Sequence, residues 1–310
     1  MSKYHSGEIE VQRRAGVEDL ARRTATVIKP DIPRLAKDFV LEQPMAVVAS
    51  VGENSKSWAS LLTGEPGFMQ AEDERTLRVE AQPARGDPLA ENLRDGAAVG
   101  LLTIDLTTRR RMKAKGTIQL LPGGGFRLKT ERVYALCPKY IQTRDWEFLE
   151  GGEKSENYSA DSAPDAVLHT DVLSEDQRRK ISEADTFFIA SFHTQTGADA
   201  SHRGGFPGFV KVMDDAAGAI LWPDYSGNRM FNTLGNITAN PNAGLLFVDF
   251  ERGDTLQLTG EAAVIWDEEV VDSLSGAERA VGFRVGEVLE VSRATTLRWS
   301  FGDYSPFNPV

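Results

Sequence analysis

Ser201-His202-Arg203 and Asp224-Tyr225-Ser226-Gly227-Asn228-Arg229 hold the residue types best suited to chemistry in this sequence. Two strand-like pieces lead into a short helix expected to carry Asn228 and Arg229 in its first turn. In that arrangement Arg203 and Arg229 converge on one anion, and the helix start adds backbone N–H donors and the positive end of its dipole. Gly204, Gly205 and Gly208 lack a Cβ, so a flat ligand can approach the backbone there. Ser201 shares the strand parity of Arg203 and adds a hydroxyl. His202 has the opposite parity, and both a general acid and a packed imidazole fit it. Asn232, one helical turn beyond Asn228, either reaches the ligand or caps the helix surface. Trp222, Tyr225, Trp58 and Trp299 offer rings for stacking or for core packing. The pattern describes a site for a phosphorylated, planar cofactor.

Such a site needs elements to hold it. Residues 1–41 read as a helical arm, amphipathic from Val17 and broken at Pro30 and Pro33, with a second helix over Ile32–Leu41, and mostly peripheral. From Met45 the pattern changes to strands: Met45–Ser50, Trp58–Thr63, Leu77–Ala81, and Ala97–Leu106, the last apolar enough to be buried on both faces. Asp87 caps a short helix over Pro88–Leu93. Strand alternation then puts Arg109, Arg111, Lys113 and Lys115 on one face. A solvated strand face and an anion contact both account for them. Gly123-Gly124-Gly125 turns the chain into Phe126–Leu136, which ends at Cys137-Pro138-Lys139. Residues 151–166 are acidic and Gly/Ser-rich, the best linker in the chain. Ser174 caps a helix over Leu173–Ala184.

The second half replays the first. Val47-Val48-Ala49-Ser50 and Gly64-Glu65-Pro66-Gly67-Phe68 match Phe188-Ile189-Ala190-Ser191 and Gly205-Phe206-Pro207-Gly208-Phe209 at one offset. Gly100-Leu101-Leu102, Arg85, Asn92 and Gly116 match Gly244-Leu245-Leu246, Arg229, Asn236 and Gly260 at another. Two copies of one β-rich domain are expected, residues 42–150 and 167–310. The copies differ at the chemistry: Ser60-Leu61-Leu62 stands in the first where Ser201-His202-Arg203 stands in the second. One intact site is therefore expected, with the other half as its lid or wall.

The 310 residues carry a formal net charge of −11, which argues against general affinity for nucleic acid or an anionic membrane. One cysteine excludes an intrachain disulfide and a Cys-rich zinc site. The polar N-terminus and the absence of a long apolar run make the cytoplasm the expected location.

The segments ADASHRGGFPGFVKV, PDYSGNRMFNTLGNITANPNAGLLFVDF and GDTLQLTG resemble the pyridoxamine 5′-phosphate oxidase-like flavoproteins, over nearly all of residues 42–310. The resemblance implies two tandem FMN-binding split β-barrels with flanking helices, mainly β, forming an intrachain pseudo-dimer. It also implies FMN as cofactor, its phosphate held by the residues matching Arg203 and Arg229, and an oxidoreductase acting on a small molecule with NAD(P)H or O2 as redox partner. Family members are usually homodimers. Two departures stand out: Asn228-Arg229 replaces an Arg-Lys pair, and the oxidase's C-terminal Arg-x-His segment is missing. A flavin carrier without turnover is the alternative. A haem-binding barrel is a further one, for which His5, His169, His193 and His202 are the only imidazoles.

Overall fold

A computed structural model describes residues 3–149, 166–213 and 218–309. The expected linker at 151–166 lies almost wholly outside the described residues. The arm forms helices α1 (Ser6–Arg14), α2 (Glu18–Thr24) and α3 (Arg34–Leu41). The first half continues with β1 (Met45–Val51), β2 (Ser57–Thr63), β3 (Met69–Ala71), β4 (Thr76–Val79), α4 (Leu89–Asn92), β5 (Ala98–Asp105), β6 (Arg110–Leu120), β7 (Phe126–Leu136) and β8 (Arg144–Phe148). The second contains β9 (Val167–Thr170), α5 (Glu175–Glu183), β10 (Thr186–His193), β11 (Gly197–Gly204), β12 (Lys211–Val212) and β13 (Ile220–Asp224). It ends with α6 (Asn232–Ala239), β14 (Asn242–Val248), β15 (Thr255–Ile265), α7 (Glu268–Asp272), β16 (Arg279–Val291) and β17 (Leu297–Phe301).

The fold is mainly β, in the split-barrel class. One sheet runs β2-β1-β5-β6-β7-β4-β3 and the other β11-β10-β14-β15-β16-β13-β12, which is the same order strand for strand. Even the irregularities correspond. The β6–β7 ladder shifts register between Lys115 and Gly116, and the β15–β16 ladder shifts between Thr259 and Gly260. Strands β8 and β17 pair with each other, Trp146 opposite Trp299, so matching segments of the two halves meet face to face as around a twofold axis.

Alternation explains why the central strands are largely apolar on both faces. On β1, Ala46 and Val48 face the core of the first sheet, while Met45, Val47 and Ala49 face a core shared with the second. On β10, Phe187 and Ile189 face the second core, while Phe188 and Ala190 enter the shared one. Both faces are covered, so the strands are mostly apolar, and buried Ser50 and Ser191 are satisfied by Asn92 and Asn236. The halves approach closely at two matching glycines. A Cβ on Gly100 would lie 2.6 Å from the Ala198 carbonyl oxygen, and one on Gly244 would lie 2.3 Å from that of Ser57. Any side chain there would push the barrels apart.

The arm is less peripheral than its sequence suggests. Tyr4, Ala21 and Ile28 are buried with Tyr134 and Met230. Three polar contacts tie α1 to α6 and the loop before it: His5 to Asn236 (2.9 Å), Asn232 to Glu8, and Gln12 to the Met230 carbonyl (3.1 Å). The Gly7 N–H donates to His5 Nδ1, so Nε2 carries the proton that it donates to Asn236. His5 also stacks on His193 with ring centroids 3.7 Å apart. Burial, and then the neighbouring His193, lower His5 to about 4 from its ordinary 6.5; Glu8, Lys115 and Arg132 face the same cluster. A depressed histidine stabilises the docked arm above its ordinary value, and that contribution is lost as pH falls through about 4. Hydrogen exchange of residues 6–14 should therefore quicken across that window, ahead of the sheets. Exchange that accelerates no earlier in the arm than in β1 or β10 would show that this imidazole pair does not hold it.

Candidate functional site

One cavity of about 120 Å³ opens between the halves. The second half supplies Ser201, His202, Arg203 and Gly204 from β11, and Tyr225, Asn228, Arg229 and Asn232 from the segment leading into α6. The first half supplies Arg111 and Lys113 from β6, followed by Leu136, Cys137 and Tyr140. Of the sequence candidates, Trp222 is not on this wall. It is fully buried in the second core, edge-on to Phe187, because its position on β13 faces inward. Trp58 and Trp299 pack elsewhere, in two other apolar clusters.

Arg203 is the charge left over. Its Nη1 donates to the carbonyl of His202 at 2.9 Å, but Nε is buried with no partner, and it forms no ion pair among the described residues. Burial therefore lowers its pKa, partly offset by Asp224 and Asp199. Arg229 differs. It lies before α6 rather than in its first turn, with φ at +61°, and is followed by Met230 and by Phe231 at φ +58°. Those left-handed residues turn the chain so that α6 begins only at Asn232. Arg229 is already neutralised by Glu278 (2.8 Å to Oε1) and donates to Ser226 at 3.0 Å. The expected two-arginine clamp is thus not assembled as such. Asn228 accepts from the Met230 N–H at 3.0 Å and shapes the same turn. Asn232 accepts from the Tyr134 hydroxyl at 3.1 Å and donates to Glu8, so its polar atoms are tied to β7 and the arm.

The basic strand is not a solvated face. Lys113 is buried and donates to Asp199 at 2.7 Å and to Ser201 at 2.5 Å, and Lys115 lies 3.5 Å from the other Asp199 oxygen. Burial alone would raise the Asp199 carboxyl, but Lys113 and Lys115 outweigh it and hold it at about 2. Ser201 joins this network by bonding Thr233 at 2.8 Å. Arg111 gives Nε to the Cys137 carbonyl, Nη2 to the Lys139 carbonyl and Nη1 to His202 Nδ1 at 2.8 Å. A guanidinium only donates, so Nδ1 accepts and the neutral ring carries its proton on Nε2. His202 is buried edge-on to Phe188, and burial followed by Arg111 and Arg203 keeps its pKa well below 6.5. It is a neutral, packed imidazole whose Nε2–H is buried without a partner.

Residues 137–142 close the site. Tyr140 adopts φ +66°, packs its ring against Tyr225 at 5.0 Å and donates its hydroxyl to the Ser226 carbonyl. Its own carbonyl would lie 2.1 Å from a Cβ on Gly204. The bare face of Gly204 therefore receives backbone from the first half, not a flat ligand. Sequence reasoning noticed Cys137-Pro138-Lys139 without placing it, since only the approach of the halves brings it here.

Residues 173–294 match the sequence profile of the pyridoxamine 5′-phosphate oxidase family. The second half is pyridoxamine 5′-phosphate oxidase-like. Similar solved structures each cover little more than a third of this chain. HupZ of Group A Streptococcus is 14% identical, with a TM-score of 0.31 over 37% of this chain and 90% of its own. An FMN-binding protein from Syntrophomonas wolfei is 12% identical, with a TM-score of 0.29 over 38% and 85%. An FAD-binding protein from Mycobacterium smegmatis is 14% identical, with a TM-score of 0.28 over 39% and 96%. No curated protein matches the chain. No helix among the described residues is long and apolar enough to cross a membrane.

The matching position in the first half is built differently. Leu61 and Leu62 are buried where His202 and Arg203 stand, and Gln257 takes the place of Lys113, donating to the Ala59 carbonyl at 2.9 Å. Asp87 is buried there and accepts from Ser60 at 2.6 Å; burial raises its carboxyl to about 6. A carboxyl and two leucines make a poor anion site.

Proposed function

We propose that this chain is an FMN-dependent oxidoreductase with one flavin site per chain, formed in the second barrel repeat (167–310) and walled by the first (42–150), with 1–41 as a bracing arm. The observation that carries the reading is Arg203. A guanidinium with a buried Nε and no carboxylate is costly unless an anion completes it, and Arg203, whose Nε has no partner, lines the cavity. Arg111 adds a second cation without an ion-pair partner among the described residues. The donor set fits a phosphate monoester, and the family match to residues 173–294 supports a flavin as its bearer.

In this reading Arg203 binds the phosphate with Arg111 as the second cation, while His202 packs on the opposite face of β11 against Phe188, its tautomer fixed by Arg111. Lys113, Ser201 and Thr233 stiffen the wall behind them, while Tyr140 and Tyr225 offer aromatic surface at the same cavity. Bound FMN would supply hydride or single-electron transfer, and the protein orientation and electrostatics. The cavity is smaller than the roughly 300 Å³ of a complete small-molecule site, so its wall has to yield to admit the whole cofactor. A haem reading is disfavoured by His202, whose Nε2 is protonated and whose Nδ1 is used.

Titration of apoprotein with FMN, followed by flavin fluorescence, tests the binding. Saturation at one flavin per chain is expected. Anaerobic reduction of the complex by NADH or NADPH then separates an enzyme from a carrier. Absence of saturable binding would refute the assignment.

A further inference from the structure

A second cavity, of about 340 Å³, is bounded by α5, the β14–β15 turn and the paired strands β8 and β17. That volume exceeds the roughly 300 Å³ of a complete small-molecule site. Part of its wall is aromatic: Phe250 and Trp299 meet edge to face at 5.2 Å, and Phe301 beside them is 50% exposed. Ring faces attract cations, and these already hold one. The Arg144 guanidinium lies 4.1 Å from the Phe250 centroid and 5.7 Å from that of Phe301. Thr186 completes this wall. Its parity on β10 turns it, like Phe188, to the side of Phe250 and Trp299, and its hydroxyl has no partner.

The charge around the cavity is unbalanced. Six carboxylates line it against two cations, Arg144 and Lys180. Both cations are already paired: Arg144 Nη2 donates to the two oxygens of Asp185 at 2.7 and 2.8 Å, and Lys180 bridges Glu290 and Asp176. Oδ1 of Asp249 accepts from the N–H groups of Glu251 and Arg252, and Oδ1 of Asp254 from that of Arg293, which leaves the second oxygen of each for a ligand. Arg298 acts on both carboxylates from a distance and gives Nη1 to the Thr295 and Leu297 carbonyls. No acidic side chains among the described residues converge closely enough to hold a metal ion, so the excess negative charge is spread along the wall.

We propose that this cavity binds an organic cation with an apolar body, an amine or amidine whose charge meets Asp249 and Asp254 and whose body lies on Phe301. A bare inorganic ion would leave the rings uncovered, and an anion would be repelled. The site is independent of the flavin reading, because none of its residues lines the first cavity.

Benzamidinium, benzamide and benzoate share one shape and differ in charge, so calorimetric titration of the full chain with them tests this. Benzamidinium should bind saturably and about tenfold or more tighter than benzamide, and benzoate should not displace it. Replacing Asp249 and Asp254 together by Asn keeps the oxygen acceptors of the turn and should remove the preference for the cation. Phe301→Ala, at an exposed ring, should weaken benzamidinium by about two- to fivefold. Equal affinity for benzamidinium and benzamide, or binding untouched by the double Asn variant, would overturn the proposal. Displacement of benzamidinium by an equal concentration of calcium ion would overturn it too, by making the site an inorganic one. FMN separates the two readings. If FMN displaces benzamidinium, the cation sits in the flavin cavity and this proposal fails alone. If benzamidinium binds as expected to a chain that takes up no FMN, the flavin reading fails and this site stands.

Discussion

Arg203→Ala should weaken FMN binding by roughly 10- to 150-fold. A charge-assisted hydrogen bond contributes about 1.5–3 kcal/mol, and each 1.4 kcal/mol is about tenfold in affinity. The loss should fall at the upper end if the buried Nε, which has no other partner, is a ligand contact. Arg229→Ala should cost less than about tenfold, because Glu278 already neutralises that side chain and the pair would have to open before it could serve a phosphate. Arg85→Ala, its counterpart in the first half, should change nothing: Arg85 is exposed beside a site lined by Leu61, Leu62 and Asp87. Fluorescence titration of the three variants measures all of this. Equal losses from Arg229→Ala and Arg203→Ala would mean that Glu278 is displaced on binding and the two-arginine clamp forms only then. No loss from Arg203→Ala would remove the central contact of the proposed site.

Asp199→Asn should destabilise the fold by about 3–5 kcal/mol, because removing one member of a buried ion pair strands its partners. Here two ammonium groups depend on one carboxylate, at 2.7 and 3.5 Å, and neither lysine is more than about a twentieth exposed. Lys113→Met should cost less, since Lys115 still neutralises Asp199 and the methionine fills similar space. Urea unfolding ranks the two. An Asp199 variant no less stable than the Lys113 variant would show that water or relaxation satisfies the lysines. The pH dependence has a definite sign. A carboxyl held at about 2, below its ordinary 3.8, stabilises above the ordinary value, and that contribution fades as pH falls through about 2. From this group alone, stability should be flat across the neutral range. The network also couples the halves, since its lysines are on β6 and its carboxylate on β11. The same substitution should therefore lower FMN affinity by loosening Ser201 and the strand that carries Arg203.

The local elements were determined by the sequence itself. Met45–Ser50 and Phe126–Leu136 read as strands because apolar and β-branched runs suit a pleated, covered surface, and Ser174 caps α5 as expected, with Gln177 completing a capping box. The recurrence of Pro-Gly-Phe and Gly-Leu-Leu already pointed to a repeated unit, and the two sheets do share one strand order. Side-chain neighbours across the halves could not be read in this way. Lys113 and Asp199 lie far apart in the chain, and periodicity states which face a lysine occupies, not what lies opposite. Only the close approach at Gly100 and Gly244 turned the basic face of β6 into a buried wall. Only the left-handed turn at Arg229 and Phe231 moved the start of α6 past Asn228 and left Arg229 to Glu278. Residue types and strand parity are local properties, set by the side chain and the pleat. Which charge is neutralised and which remains for a ligand depends on distances of a few ångströms between distant segments, and those exist only in the packed molecule.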